Sequence, residues 1–228
     1  LEHRCPQQRA QNQEKDQPEG DIDEQRRRLA AALKVMNPPR HLLDGMVHLA
    51  DDPHSLVVVR VDPRSRQMIT TPMADAITAY VREHKIDVLI VDPFAETFEG
   101  DENSNSEIKW AMKVWRDIAR DTDCSVILVH HTVKYASGGA GNADIVRGGG
   151  AIVNSTRISA TLMTMTEDEA KVLGIPEDER FRYVRHDDAK SNWTLKSGKA
   201  RWFEKVSVTL DNGTGFAEPD QVGALVPW

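Results

Sequence analysis

No apolar run in these 228 residues is long enough to span a bilayer, and no signal-peptide pattern opens the chain. Membrane insertion is therefore not expected. Cysteine is nearly missing: Cys5 and Cys124 are the only two, too few for a disulfide framework. Cys124 opens an apolar strand and reads as a buried, reduced thiol, so a reducing cytoplasm is the expected location. There is no basic excess. The net charge of −7 excludes a protein that coats nucleic acid with its whole surface, although a local basic channel remains open. No internal repeat and no spaced pair of metal ligands on one helix face occurs. The phosphate-cradling pattern G-x-x-x-x-G-K-[ST] is also absent. The only Gly-Lys pair is Gly198-Lys199, with Ala200 after it and Trp193 where the first glycine should stand, which reads as a hairpin turn.

What is present suits a globular domain of ordinary size with a sizeable core: 39% hydrophobic and 29% charged residues. The first residue is Leu1 rather than Met, so a fragment whose upstream part is missing is expected. Residues 1–21 are polar and without periodicity, and read as a flexible arm or insertion. A helix follows in EQRRRLAAALKVM, with Leu29, Leu33 and Met36 on one face, ended by Asn37-Pro38-Pro39. Its Arg26-Arg27-Arg28 run fits a solvated face better than a phosphate contact.

The organising stretch is IDVLIVDPFAE (86–96). Its Val/Ile/Leu run reads as a strand buried on both faces, the habit of parallel sheets. Pro93 cannot continue a central ladder, so Asp92 is left at the carboxyl end of the strand, where open α/β sheets bind ligands. Around it, SLVVVRV (55–61) is a second strand. Thr71-Pro72 starts a helix with Met73, Ala76, Ile77, Tyr80 and Val81 as its stripe. Ser104 and Glu107 form a capping box for the next helix, whose core face is Ile108, Ala111, Met112, Trp115, Ile118 and Ala119. SVILVHH (125–131) is a further buried strand ending in two histidines. Right-handed crossovers would bring Asp92 and His130-His131 to one edge of a parallel sheet. The long Gly-rich loop 132–150, a β-rich segment from 151, a capped helix in 165–176 and antiparallel strands in 181–186 and 200–210 complete the expected core over 22–210, with 211–228 as a tail.

An Asp after an apolar strand is the second half of a P-loop NTPase site, where it holds the Mg²⁺ shell. A polar residue on the neighbouring strand then meets the γ-phosphate or the attacking water. Metallohydrolysis is the competing chemistry, drawing on Asp51, Asp52, His54, Asp92, His130 and His131. Adjacent strand residues face opposite ways, however, so the two histidines cannot easily share an ion, and one of them is expected to be packed.

SVILVHHTVK (125–134), the Gly-rich loop, RGGGAIVNSTR (147–157), MTEDEAKVLGIPEDER (165–180) and KSNW…RWFEK (190–205) together resemble the RecA-like ATPases of the plasmid RepA type, ring-forming replicative helicases close to the KaiC/DnaB-like group. The resemblance covers most of 22–210. It implies a RecA-like α/β core with a C-terminal antiparallel extension, a homohexameric ring, ATP hydrolysis with Mg²⁺ and movement on single-stranded DNA in plasmid or phage replication. It matches Asp92 to the Mg²⁺-organising carboxylate and His131 to the γ-phosphate-sensing residue. Arg157 matches the arginine presented to a neighbour's nucleotide, with Arg147 as its substitute. The family's general base falls at Glu2, with Glu96 as a backup. Lys134, Tyr135 and Arg147 of the 132–150 loop are the expected single-strand contacts, a cation for phosphates and a ring for stacking. The first strand, the phosphate loop and its helix are missing from the pattern. A non-catalytic RecA-like ring or adaptor protein, and a metal-dependent hydrolase, therefore stand as alternatives.

Overall fold

The computed structural model describes residues 22–39, 41, 43–50, 56–131, 149–195, 198–215 and 217–228. The chain divides into two compact units, Asp52–Trp202 and a second made from Leu1–Asp51 with Phe203–Trp228.

The larger unit begins with β1 (Val59–Val61) and β2 (Met68–Thr70), an antiparallel pair. Their turn is closed by Asp62, whose carboxylate accepts from the N–H groups of Arg64 and Ser65 at 2.7 and 2.9 Å. Those backbone donors hold the Asp62 carboxyl below the usual carboxylate range. Helix α2 (Pro72–His84) starts as its sequence requires, with Thr71 accepting from the Met73 N–H and Pro72 in the first turn. Its buried stripe is rotated from the expected one. Ala74 and Val81 are buried, Met73 and Ile77 are partly so, and Tyr80 and Ala76 are exposed, Tyr80 lying tilted at 42° against His84 with ring centroids 4.2 Å apart instead.

Strand β3 (Val88–Val91) leads through a 3-10 turn (Phe94–Thr97) into the two-residue β4 (Phe98–Glu99). Then come α3 (Asn105–Thr122) and β5 (Ser125–Leu128). β3 and β5 are parallel and in register from Val88–Ser125 to Val91–Leu128. β1 pairs with β4, also parallel, rather than with β3. Ser104 caps α3 by accepting from the Glu107 N–H, but the reciprocal half of the expected box is not made. The Glu107 carboxylate accepts from the Asp101 N–H at 2.7 Å and braces the preceding loop. Ile108, Ala111, Met112, Trp115 and Ile118 of α3 are buried with Val58, Val59, Val91, Phe94 and Phe98 in one core. Inside it the Trp115 indole donates to the Thr97 hydroxyl at 3.2 Å, and that hydroxyl donates to the Phe94 carbonyl at 2.8 Å. Cys124 is a buried free thiol, and burial pushes its pKa up against an opposing bond from the Leu89 backbone.

After the 132–148 stretch come α4 (Gly149–Ser155), β6 (Ile158–Thr164), α5 (Glu167–Leu173) and β7 (Tyr183–Ser191), with β6 and β7 antiparallel. Thr166 and Glu169 make a full capping box on α5, and Gly174, at φ 72°, ends it in a conformation that glycine adopts without strain.

The smaller unit holds α1 (Ile22–Met36) against β8 (Arg201–Thr209, from Phe203 onward) and β9 (Gln221–Pro227). Its core is Ala31, Val208, Leu210 and Val222. The α1 face is thus centred on Ala31 and Val35, while Met36 is exposed. Arg26, Arg27 and Arg28 pair with Asp23 and Glu24 one turn away, as a solvated helix face requires. Residues 211–228, expected as a tail, contain β9, antiparallel to β8 from Phe203–Pro227 to Thr209–Gln221. Its alternating Val222, Ala224 and Val226 supply an apolar face that the Gly and Pro of the segment disguise. The molecule is an α/β protein with parallel strand pairs flanked by helices and antiparallel strands toward its C-terminus.

Candidate functional site

The site is built where β3 and β5 end. Beyond the last ladder residues the two chains stay laced: Val129 N–H donates to the Val91 carbonyl at 2.9 Å, and Phe94 N–H donates to the Val129 carbonyl at 2.7 Å. Asp92 and His131 therefore leave the same carboxyl edge of one parallel pair. Both are exposed, and neither side chain hydrogen-bonds to a described residue. Of the two histidines it is His130 that packs, edge-on to Phe94 with ring centroids 5.7 Å apart at 85°. Glu96 is exposed on the 3-10 turn that follows Asp92. The edge thus presents the Asp92 carboxylate and the His131 imidazole to solvent, an acceptor suited to a cation's water shell and a ring that can hydrogen-bond an anion.

The strand pair that carries this edge is not buried on both faces. Leu89, Val91, Val126 and Leu128 point into the core. Val88, Ile90 and Ile127 are 50%, 63% and 48% exposed, because alternation sends them to the face that no described element covers.

Arg157 stands elsewhere in the same unit, between α4 and β6. Its guanidinium is exposed and makes no hydrogen bond or ion pair among the described residues, Asp92 and His131 included. Its backbone is firmly held. The Arg157 carbonyl accepts from the Asn192 N–H at 3.1 Å. Lys190 on β7 donates to the carbonyls of Val153 at 2.7 Å, Asn154 at 3.3 Å and Thr156 at 2.8 Å, covering the C-terminal end of α4. Lys190 falls in the KSNW segment, but its partners have no local signal, since its acceptors are backbone atoms 34 to 37 positions away. Glu2, Lys134, Tyr135 and Arg147 lie outside the described residues. No group of three or more His, Cys, Asp or Glu able to hold a metal occurs among the described residues, and Asp51, Asp52 and His54 of the metallohydrolase alternative lie outside them. None of the described helices is long and apolar enough to cross a membrane.

The α/β core places a carboxylate and a polar residue at the ends of adjacent parallel strands, the edge at which open α/β sheets bind ligands. Family comparison supplies the class. The model described as "AAA domain" matches residues 17–137, more than half of the chain, and the chain belongs to that family. Among solved structures, a chain described as an "ATPase Domain" is similar at 14% identity with a TM-score of 0.44. The match covers 58% of this chain and 48% of that one, so this chain spans about half the length of the structure it matches.

Proposed function

We propose that this chain is the motor part of an ATP-driven, RepA-like DNA helicase that works on single-stranded DNA as a hexameric ring, in plasmid or phage replication in the cytoplasm. The observation that carries the reading is the common edge of Asp92 and His131 on β3 and β5. Asp92, exposed and acceptor-only, suits the water shell of Mg²⁺. His131 suits a γ-phosphate oxygen as a hydrogen-bond donor. The cation would neutralise charge that builds on the phosphates during transfer. Arg157, with its backbone pinned and its guanidinium unpaired among the described residues, suits the phosphates of a neighbour's nucleotide. Glu96 and Glu2 are the bases to test, and Lys134, Tyr135 and Arg147 the single-strand contacts.

The sequence contains no G-x-x-x-x-G-K-[ST] pattern. Hydrolysis in this reading needs a segment that grips the triphosphate, and the uncovered apolar face of β3 and β5 beside Asp92 offers it a seat. The missing loop also favours the second reading, a non-catalytic ring or adaptor protein. The test is steady-state ATP hydrolysis by the full-length protein that contains this chain. Asp92→Asn and Arg157→Ala are each expected to lower kcat by about 10³-fold. A full-length protein that binds and turns over no nucleotide selects the adaptor. Turnover that ignores both substitutions removes these residues from the mechanism.

A further inference from the structure

Helix α3 carries a feature that neither its packing nor the proposed chemistry uses. Its inner side, with Ile108, Ala111, Met112, Trp115 and Ile118, is fixed in the core of the larger unit. Its outer side presents Lys109, Lys113, Arg116 and Arg120, all exposed. Their spacing puts the four cations in one row, within about 60° of the helix circumference and along about 16 Å of its axis. Trp110 flanks the row one turn before Lys113 and is 44% exposed. Lys113 bonds Asp117 at 2.6 Å, and Arg120 bonds Asp117 and Asp121, both at 2.9 Å. Lys109 and Arg116 make no hydrogen bond or ion pair among the described residues. Glu107, the carboxylate of the first turn, is engaged by the Asp101 N–H. Like charges three and four residues apart destabilise a helix, so packing and helix formation give no reason for this row. It also runs against a net charge of −7.

We propose that this face of α3 binds single-stranded DNA, with phosphates along the cation row and one base on the Trp110 indole. Cations clustered along one helix face are the electrostatic footprint of a nucleic acid. The exposed indole selects an unpaired strand, because a base can stack on it only when it is free of a duplex. An acidic protein surface would match the charge and leave the indole without a stacking partner. The inference rests on the proposed function for the choice of DNA alone. It uses neither the 132–150 loop, nor a ring, nor nucleotide turnover, and it adds a site on residues 109–120 that the motor reading does not need.

The probe is a fluorescent thymidine oligonucleotide of about 16 residues, titrated by anisotropy with the full-length protein that contains this chain. Affinity is measured between about 50 and 200 mM salt. Each phosphate neutralised on a single strand contributes about 0.7 to the slope of log affinity against log salt. Lys109→Gln/Arg116→Gln should weaken binding about tenfold and flatten that slope by about 1.4. Trp110→Leu keeps an apolar side chain and removes the stacking plane, so affinity should fall about fivefold or more with the slope unchanged. Lys109→Arg/Arg116→Lys keeps both charges and should bind as the unaltered protein does. All three positions are exposed, and circular dichroism confirms folding. The site is overturned if the glutamine pair leaves affinity and slope unchanged, or if Trp110→Leu binds as before. It is also overturned if poly-glutamate of equal charge binds more tightly than the oligonucleotide, which would make the occupant an acidic protein. A uridine oligonucleotide that binds more tightly than the thymidine one overturns the choice of DNA. An α3 effect in a protein that turns over no nucleotide keeps this site and removes the motor reading. Turnover with silent α3 substitutions does the reverse.

Discussion

Arg185 should be the most costly surface-proximal side chain to remove. Its guanidinium bonds Asp187 through two parallel contacts of 2.8 Å and bonds Glu169 through a third nitrogen. It also lies 5.9 Å from the centre of the Trp202 ring. The side chains of Arg185, Glu169 and Asp187 are 29%, 21% and 11% exposed, so the network lies between the solvent-screened and the fully buried limits. Exposed pairs are worth about 0–1 kcal/mol, and breaking a buried pair costs about 3–5 kcal/mol. Arg185→Met keeps much of the apolar stem and leaves two carboxylates without their cation, so a loss of about 2 kcal/mol is expected. For a chain of this size that is about 4–8 °C in the melting midpoint. Faster amide exchange confined to β6, β7 and α5 should accompany it, since Glu169 also caps α5. The effect should depend on pH with a definite sign. Burial raises the Glu169 pKa, but the Thr166 N–H and the Arg185 guanidinium outweigh it and hold the carboxyl below its ordinary value. A carboxylate whose folded pKa is depressed contributes stability that is present above its unfolded pKa, about 4.3, and lost as pH falls through the folded one. The gap between the unaltered and Arg185→Met proteins should therefore be full at pH 7 and shrink below about pH 4. A midpoint shift under 1 °C at pH 7, or a gap that widens in acid, would refute the reasoning.

Thr97→Val removes the acceptor of the Trp115 indole in the main core while keeping the volume. A buried donor left unpaired costs about 1–3 kcal/mol, read by urea denaturation, and an unchanged midpoint would mean that the indole finds another acceptor. Asp123 ends α3 at φ 56°, a left-handed conformation that disfavours side chains. Asp123→Gly should stabilise by about 0.5–1 kcal/mol in the same assay, and a loss would show that the Asp side chain does something at that cap. Lys190→Met should speed amide exchange at residues 156–160 by about tenfold or more through the loss of charged bonds to three carbonyls, whereas unchanged exchange there would mean that β6–β7 pairing alone holds the corner.

Element starts were legible because their signals are local. Thr71-Pro72, Ser104 and Thr166 each act on an N–H two or three residues ahead, and all three cap a helix. The strand end that carries Asp92 was legible for a similar reason, since an apolar run stopped by Pro93 marks both a strand and its limit, whereas the run through His131 has no such stop and β5 ends earlier, at Leu128. Choices of face were not. On α1 and α2 several apolar residues compete for one stripe, and which of them wins depends on the partner surface. β9 hides behind Gly223 and Pro227, and the partner of β1 is a strand of two residues that no periodicity can reveal. Glu107 shows that a motif can be half right: its carboxylate meets the Asp101 N–H, a nearer demand than the cap.

The run from Val88 to Val91 joins these two kinds of information. Its composition asks for cover on both faces, and the described fold supplies cover on one. Composition records the environment a segment needs, whereas coordinates record what the described residues provide. The proposed chemistry shows the same mismatch at the same place: a carboxylate and an imidazole stand at the strand ends, and the sequence holds no G-x-x-x-x-G-K-[ST] pattern for the phosphate that the proposed function would put there. One added segment, an apolar helix face with a glycine-lysine loop at its start, would meet both needs at once. On the proposed function the uncovered face and the unmet phosphate grip are therefore one feature, and an account that fills one while leaving the other open explains less of this chain.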